Sequence, residues 1–121
     1  MAKTVLIIDD SKAIRDMVTF TLEPHGYRCV GAGDGSEGLT RLRAENPALV
    51  ITDLNMPVMN GIEFIRHARQ DAAGAGIPIV MLTTETKPEM KAEGKSAGAT
   101  GWINKPFDAD MLLSVAKKLA G

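Results

Sequence analysis

Short apolar runs alternate along the chain with segments in which apolar residues recur at helical spacing. The runs predict five strands, at residues 4–8, 28–32, 49–52, 77–82 and 100–103. After the first of them, side chains recur at i, i+3, i+4, i+7 and i+8, namely Ile14, Met17, Val18, Thr21 and Leu22. This spacing predicts a helix with one face turned toward a core.

Turn-forming and capping residues bound the other predicted helices. Pro24 and Gly26 end the first helix, and the second begins at Ser36 and ends before Pro47. The third helix is predicted from about residue 61 to residue 71. The last begins after an Asp108 cap, and its predicted inward side chains are Met111, Leu112, Val115 and Leu119.

The fourth helix has few apolar residues with which to pack. Thr86 and Glu89 have the spacing of a capping box, and Pro88 suits the first turn. Met90 is its one large apolar residue, and Gly94 costs about 1 kcal/mol relative to alanine. Low local stability is predicted, which suits either a surface that responds to a modification or a merely frayed helix.

The alternation of strands and helices predicts an α/β fold with a doubly wound, five-stranded parallel sheet, because parallel neighbours need crossover helices that cover both faces. Ligands in such folds bind beyond the carboxyl ends of the strands. The residues that follow the strands are Asp9 and Asp10 after the first, residues 33–35 after the second, Asp53 after the third, Thr83 and Thr84 after the fourth, and Lys105 and Pro106 after the fifth. Three carboxylates, a hydroxyl and an ammonium are expected at one rim.

These side chains support a narrow chemistry. The adjacent carboxylates of Asp9 and Asp10 repel by about 4 kcal/mol at ~4 Å and an effective dielectric of ~20, and a bound Mg²⁺ would relieve that repulsion. Asp53 is a candidate nucleophile toward a phosphoryl group. Lys105 would stabilise the phosphoryl oxygens, and the Thr83 hydroxyl would donate a hydrogen bond to the product.

Each of these residues also has a simpler explanation. Asp10 or Ser11 could cap the first helix, Asp53 could be an ordinary polar strand end, and Lys105 could be solvated. Those explanations do not account for the placement of all the residues at strand ends of the same polarity.

Composition limits the remaining possibilities. The chain has 121 residues, 45% of them hydrophobic and 24% charged, which is ordinary for one globular domain over residues 1–121 with no effector domain. No apolar run approaches the ~20 residues of a membrane span. The net charge of −1 offers no footprint for nucleic acid, and the single Cys29, expected to pack in the second strand, excludes an internal disulfide. A cytoplasmic location is expected.

Four motifs together resemble the receiver domain of two-component response regulators. They are IIDDS (7–11), ITDLNMPVMNG (51–61), MLTTE (81–85) and WINKPF (102–107), and the resemblance covers essentially the whole chain. Within that family the chain resembles the single-domain CheY-like chemotaxis regulators, which implies the strand order 2-1-3-4-5.

The resemblance implies a role for each matched residue. Asp53 corresponds to the phosphoacceptor, which takes its phosphoryl group from a CheA-like histidine kinase or a small donor such as acetyl phosphate. Asp10, with Asp9 assisting and Asp53, corresponds to the Mg²⁺ carboxylates, and the backbone carbonyl of Asn55 completes the coordination. Thr83 corresponds to the switch hydroxyl and Lys105 to the family lysine. The remaining matched loop residues are Met56, Pro57, Gly61 and Pro106, the last being a candidate for a cis peptide bond.

Two positions depart from the family pattern. Thr84 stands where the family often has Ala or Gly, so narrower access to Asp53 and slower phosphoryl chemistry are expected. Trp102 stands where a Tyr or Phe is common, and an indole is larger and has no hydroxyl. The partner surface implied by the resemblance comprises Thr83, Trp102, Met90 and Lys91.

The resemblance also implies a set of functions and partners. The protein is expected to be a monomeric switch, not an enzyme with an external substrate, that binds the flagellar motor switch and is acted on by a phosphatase. A phosphate sink and a phosphorelay intermediate are alternatives. A flavodoxin-like electron carrier is disfavoured because the acidic first loop would repel a phosphate. A Mg²⁺-dependent phosphohydrolase is disfavoured because it needs a second acid/base carboxylate and a cap.

Overall fold

The computed structural model describes residues 2–121, which form one five-stranded sheet with helices on both faces. The strands are β1 (Lys3–Ile8), β2 (Tyr27–Ala32), β3 (Leu49–Thr52), β4 (Ile79–Thr83) and β5 (Gly101–Asn104). The helices are α1 (Lys12–Leu22), α2 (Gly35–Glu45), α3 (Gly61–Gln70), α4 (Pro88–Ala97) and α5 (Ala109–Ala120). All neighbouring strands are parallel, in the order β2-β1-β3-β4-β5, which confirms the predicted fold class.

The core lies in two layers because alternate residues of each strand point to opposite faces of the sheet. Val5 and Ile7 of β1 pack in one cluster with residues of α1 and α5. Leu6 and Ile8 pack in a second cluster with residues of α2 and α3. Burial of a large apolar side chain contributes about 1.5–3 kcal/mol, so these two layers hold the strand ends in fixed positions.

Two methionines that were predicted to face the core are exposed instead. Met17 of α1 is 50% exposed and Met111 of α5 is 54% exposed. In α5 the side nearest the sheet consists of Leu112, Ala116 and Ala120, at i, i+4 and i+8. Because two of those residues are small, α5 lies close to the sheet along that line, and Met111 is left on its outer side.

Several element boundaries differ slightly from the predictions. β4 begins at Ile79 and not at residue 77, since Pro78 has no N–H to donate and instead accepts from Val50 N–H through its carbonyl. α2 begins at Gly35, one residue before the predicted Ser36, because the Asp34 side chain accepts from Glu37 N–H and caps the helix.

The predicted capping box at the start of α4 is wrong. Lys87 occupies the N-cap position and makes no capping bond with its side chain. The nearby carboxylate of Glu85 accepts instead from the N–H groups of Thr86 and Lys87, at 3.0 and 3.2 Å. Gly94 is the one buried residue of α4, so this helix is attached to the core by few side chains, as its sequence indicated.

Arg69 of α3 ties together the loops at the edge where the strands begin. Its guanidinium donates to the carbonyl of Gly98 at 2.7 and 3.1 Å, and to the carbonyls of Gly74 and Ile77 at 2.8 and 2.6 Å. Burial lowers the pKa of Arg69 from its usual value. Gly98, with φ of 116°, directly follows α4, so this end of α4 is anchored to α3.

Candidate functional site

The carboxyl ends of three strands bring Asp9, Asp53 and Lys105 into contact. Lys105 Nζ lies 2.7 Å from Asp9 Oδ2 and 3.4 Å from Asp53 Oδ2. The contact follows from the strand order, since β1 lies beside β3 and the backbone N–H of Asp53 donates to the carbonyl of Ile8. The prediction that these side chains converge at one rim is confirmed.

Asp9 is held on both oxygens of its carboxylate. The residue is 2% exposed, and Oδ1 accepts from the N–H of Ser11 at 2.9 Å while Oδ2 accepts from Lys105. Ser11 also accepts from Ile14 N–H and so caps α1. The simpler reading of Ser11 as a helix cap is correct, and it leaves the two aspartates unexplained.

Asp53 has one oxygen held by backbone and the other beside a cation. Its Oδ1 accepts from Leu54 N–H at 2.8 Å, and its Oδ2 faces the Lys105 ammonium. The residue is only 8% exposed. Burial of a carboxylate is tolerable here because both oxygens have a donor or a counter-charge.

Asp9, Asp10 and Asp53 form the one group of potential metal ligands found among residues 2–121. Each of the three offers one oxygen, and the three oxygens lie within 4.8 Å of one another. A set made only of carboxylate oxygens suits a hard divalent cation such as Mg²⁺, and a single ammonium leaves an excess of negative charge. Asp10 is exposed, so the cluster has a side open to water. The residues present therefore fit the cation that the resemblance implies.

The loop between β3 and α3 passes close to Asp53. A Cβ added to Gly61 would lie 2.1 Å from the carbonyl oxygen of Asp53, so only glycine allows this approach. The N–H of Gly61 donates to the carbonyl of Leu54 at 2.8 Å, which closes the loop. Met56 is partly buried against the second core cluster, and Met59 packs against Gly35.

The middle of that loop contains a conformation that the sequence analysis missed. Val58 has φ of 69° and is 82% exposed, and Met59 N–H donates to the carbonyl of Pro57 at 2.7 Å. This is a three-residue turn with a β-branched residue at its centre, an arrangement that is rare and strained. Neither the branched side chain nor the preceding proline signals it.

The remaining strand ends place a hydroxyl and a cis peptide at the same edge. Thr83 is fully buried, and its Oγ1 accepts from Glu85 N–H at 3.2 Å, whereas Thr84 is exposed. The peptide bond between Lys105 and Pro106 is cis, as predicted. Asn55, whose carbonyl was expected to complete a metal site, is exposed in the loop that follows Asp53.

Trp102 lies on β5 against α4. Its Nε1 is buried and has no hydrogen-bond partner among residues 2–121. Lys91 Nζ lies 5.9 Å from the centroid of the indole ring, and a Cβ on Gly94 would lie 2.9 Å from Cζ3 of Trp102. Met90 is partly buried against the second core cluster. The indole therefore fits into the space that Gly94 leaves open.

A further residue near the acid cluster went unnoticed in the sequence. Arg15 of α1 donates from Nη1 to the backbone carbonyl of Asp9. No sequence signal marks a side chain that binds a backbone carbonyl, because every residue has one.

A five-stranded parallel sheet with a buried aspartate, two acidic neighbours and a lysine at one rim defines a class of protein. Residues 5–117 match the response regulator receiver domain, and the chain belongs to that family. A receiver domain is a phosphoacceptor switch and implies a cognate histidine kinase.

Individual relatives extend this result. The chain is 44% identical to the Vibrio cholerae chemotaxis protein CheY4, whose solved structure superposes with a TM-score of 0.93 and covers 98% of this chain and 99% of CheY4. Protein PilH of Pseudomonas aeruginosa is 36% identical over 118 residues, which is 97% of this chain and 98% of PilH. The phosphate regulon transcriptional regulatory protein PhoB of Escherichia coli is 35% identical over 117 residues, and the chain spans about half of its length, 51%. No helix within residues 2–121 has the length and apolar character needed to cross a membrane.

Proposed function

We propose that the protein is a Mg²⁺-dependent phosphoacceptor switch of a two-component system, with Asp53 of its receiver domain as the phosphorylated residue. The observation that carries the proposal is the contact of Lys105 with both Asp9 and Asp53 inside a cluster of three carboxylates. Family membership supports it, since a receiver domain functions as such a switch.

The arrangement of Asp53 suits attack on phosphorus. Leu54 N–H holds Oδ1, so Oδ2 is the oxygen that forms the new O–P bond. The P–N bond of a kinase phosphohistidine breaks, and its electron pair stays on the imidazole; with acetyl phosphate the P–O bond to acetate breaks instead. Lys105 neutralises negative charge on the phosphoryl oxygens. Thr83 lies at the same edge of the sheet, and its hydroxyl would donate a hydrogen bond to the phosphoryl group of the product.

Asp9, Asp10, Asp53 and the carbonyl of Asn55 would hold Mg²⁺. When bound, Mg²⁺ supplies positive charge that stabilises the transferring phosphoryl group. The carboxylates would position the cation, and the exposed side at Asp10 would admit the donor.

The decisive experiment is the intact mass after incubation with acetyl phosphate and Mg²⁺. One labile phosphoryl adduct is expected in the wild type, and none is expected in Asp53→Asn or with a chelator present. Asp16→Asn is a matched control, since Asp16 lies on α1 and pairs with Lys12 outside the cluster. No adduct in the wild type, or an adduct that survives Asp53→Asn, would overturn the proposal.

We further infer a chemotaxis role, with a CheA-like kinase as donor and the flagellar motor switch as target. The likeness to the chemotaxis protein CheY4 supports this role. So does the surface around Trp102, where cavities of about 230 and 390 Å³ lie along α4, β5 and α5 and exposed Met111 lines the larger one. The protein would act as a cytoplasmic monomer, without nucleic-acid or membrane contacts, and a phosphatase would end the signal.

Binding to a motor-switch peptide with and without a phosphoryl mimic tests this output. Binding that requires the mimic supports the motor role. Phosphorylation without such binding would contradict it and favour a phosphate sink, or a relay intermediate if the phosphoryl group passes on to a further histidine.

Thr84 would slow the loss of the phosphoryl group from Asp53. It is exposed beside buried Thr83, where a smaller residue would leave the acceptor more open. Thr84→Ala is expected to speed loss of the phosphoryl group, measured by intact mass over time. Equal rates of phosphoryl loss in the wild type and the variant would show that Thr84 does not limit this reaction.

A further inference from the structure

Arg15 reaches from α1 to the strand end that carries the acidic pair. Its Nη1 donates to the carbonyl of Asp9, and a Cβ on Gly31 of β2 would lie 3.2 Å from Arg15 Cδ. Ordinary contact begins only beyond that distance, so a side chain at residue 31 would press on Arg15. Because Gly31 has no side chain, Arg15 has room to lie across β2.

The carbonyl that Arg15 binds belongs to the peptide unit between Asp9 and Asp10. A peptide unit is planar, so fixing its oxygen also fixes the direction of the Asp10 N–H and limits how both side chains leave the backbone. The carboxylate of Asp9 is already held by Ser11 and Lys105. Asp10 is exposed, and the Arg15 bond acts on the backbone directly before it.

We propose that Arg15 is a positioning residue for the cation site, which it organises through the backbone between Asp9 and Asp10 without binding the cation. The proposal rests on the proposed function, because the cation is the Mg²⁺ of that mechanism. A bond from a charged guanidinium to a carbonyl is among the stronger hydrogen bonds, so it suits this role.

Positioning and simple charge predict opposite results for the loss of Arg15. If the guanidinium acted only through its charge, its removal would leave the acidic cluster more negative and Mg²⁺ would bind more tightly. If it positions the peptide unit, its removal lets Asp10 turn away and Mg²⁺ binds more weakly. The sign of the change in Mg²⁺ affinity therefore separates the two roles.

The test is calorimetric titration of Mg²⁺ into the wild type, Arg15→Gln and Arg15→Lys. Arg15→Gln is expected to weaken binding about tenfold, the size typical of residues that orient metal ligands. Arg15→Lys, which keeps the charge and a donor, is expected to fall between the two. Lys12→Gln is the matched control, because it removes one positive charge from the same helix at an exposed residue and should not weaken binding.

Two readouts separate positioning from general damage to the fold. Thermal unfolding in chelator reports whether Arg15→Gln remains folded at the titration temperature. In the metal-free protein, the amide resonance of Asp10 is expected to shift in Arg15→Gln and not in Lys12→Gln.

Gly31→Ala provides an independent route if Arg15→Gln fails to fold. It crowds Arg15 and on its own is expected to weaken Mg²⁺ binding. If Arg15→Gln does fold, adding Gly31→Ala to it should weaken binding no further, because the two changes act through one contact. Unchanged or tighter Mg²⁺ binding in Arg15→Gln would overturn the proposal and leave the proposed function standing. In contrast, a wild type that binds no Mg²⁺ would contradict both the positioning role of Arg15 and the proposed function.

Discussion

Lys105 donates from Nζ to Oδ2 of Asp9 at 2.7 Å, and the two residues are separated by 96 positions in the chain. The ammonium also lies 3.4 Å from Asp53, so one side chain just after the last strand offsets the charge of two carboxylates that follow β1 and β3. Lys105 thus neutralises part of the negative charge that a bound divalent cation would neutralise.

Lys105→Met should therefore lower the free energy of unfolding by different amounts with and without Mg²⁺. Without the cation, the variant is expected to lose about 3 kcal/mol, because a mostly buried carboxylate keeps its charge but loses its partner. With Mg²⁺ the loss should shrink, since the metal no longer competes with an ammonium. Denaturant unfolding of both proteins in chelator and in Mg²⁺ measures the difference.

Lys12→Met serves as the control for this pair of measurements. The Lys12 side chain is 79% exposed, so its removal should change stability little in either condition. An equal loss of stability for Lys105→Met in chelator and in Mg²⁺ would show that the ammonium and the cation do not share the cluster.

Val58 should be replaceable with a gain in stability. A left-handed backbone costs an L-residue about 1–2 kcal/mol, and asparagine tolerates it better than valine. Because Val58 is 82% exposed, Val58→Asn loses little burial and is expected to gain about 1 kcal/mol. Val58→Thr keeps the branch at Cβ and should gain nothing. Equal midpoints of unfolding for Val58→Asn and the wild type would argue against strain at this turn.

Gly94→Ala should move the indole of Trp102. Alanine is normally better than glycine in a helix by about 1 kcal/mol, but here its Cβ would lie 2.9 Å from Trp102 Cζ3. The expected result is a red shift in fluorescence and no gain in stability, and Trp102 is the one tryptophan of the chain. Ser96→Ala, an exposed change on the same helix, should leave the spectrum unchanged. A stabilised Gly94→Ala with an unaltered spectrum would mean that the ring does not depend on this space.

Cys29 should make the protein less stable in alkali. Burial raises the pKa of the Cys29 thiol from 9.0 to about 11, and the charge of Glu23 adds to the rise. The unfolded chain then loses the thiol proton first as the pH rises, so this contribution is complete below about pH 9 and is lost between about pH 9 and 11. The stability difference between wild type and Cys29→Ala, measured by urea unfolding at about pH 8 and about pH 10.5, should shift against the wild type. An equal difference in stability between wild type and Cys29→Ala at both pH values would contradict the raised pKa of Cys29.

The sheet could be predicted from sequence because its central strands β1, β3 and β4 are largely buried on both faces and each strand is followed by polar or turn residues. The rotation of the helices was harder to predict. Met111 fits the helical spacing as well as Leu112 does, but α5 faces the sheet through Ala116 and Ala120. Spacing alone cannot show that small residues will lie nearest to the strands.

The carboxylates and Lys105 were predictable because parallel strands end at one edge. The features that were missed depend on backbone atoms. Arg15 binds a carbonyl, Val58 centres a turn with positive φ, and Glu85 bonds to two N–H groups before α4 although Thr86 and Glu89 had the expected spacing. Side-chain patterns carry little information about such contacts.

The two ends of α4 are held by different contacts, so any tilt of this helix would pivot near Gly98. The Arg69 guanidinium binds the carbonyl of that residue, whereas at the other end Lys87 makes no capping bond with its side chain and only the Glu85 carboxylate accepts from its N–H. A tilt of α4 would therefore move Gly98 least and Pro88 most, across a length of about 15 Å for ten residues. The Pro88 end of α4 follows Thr83 and Thr84 in the chain. Small displacements beside Asp53 would therefore act on α4 at the end that lies farthest from Gly98.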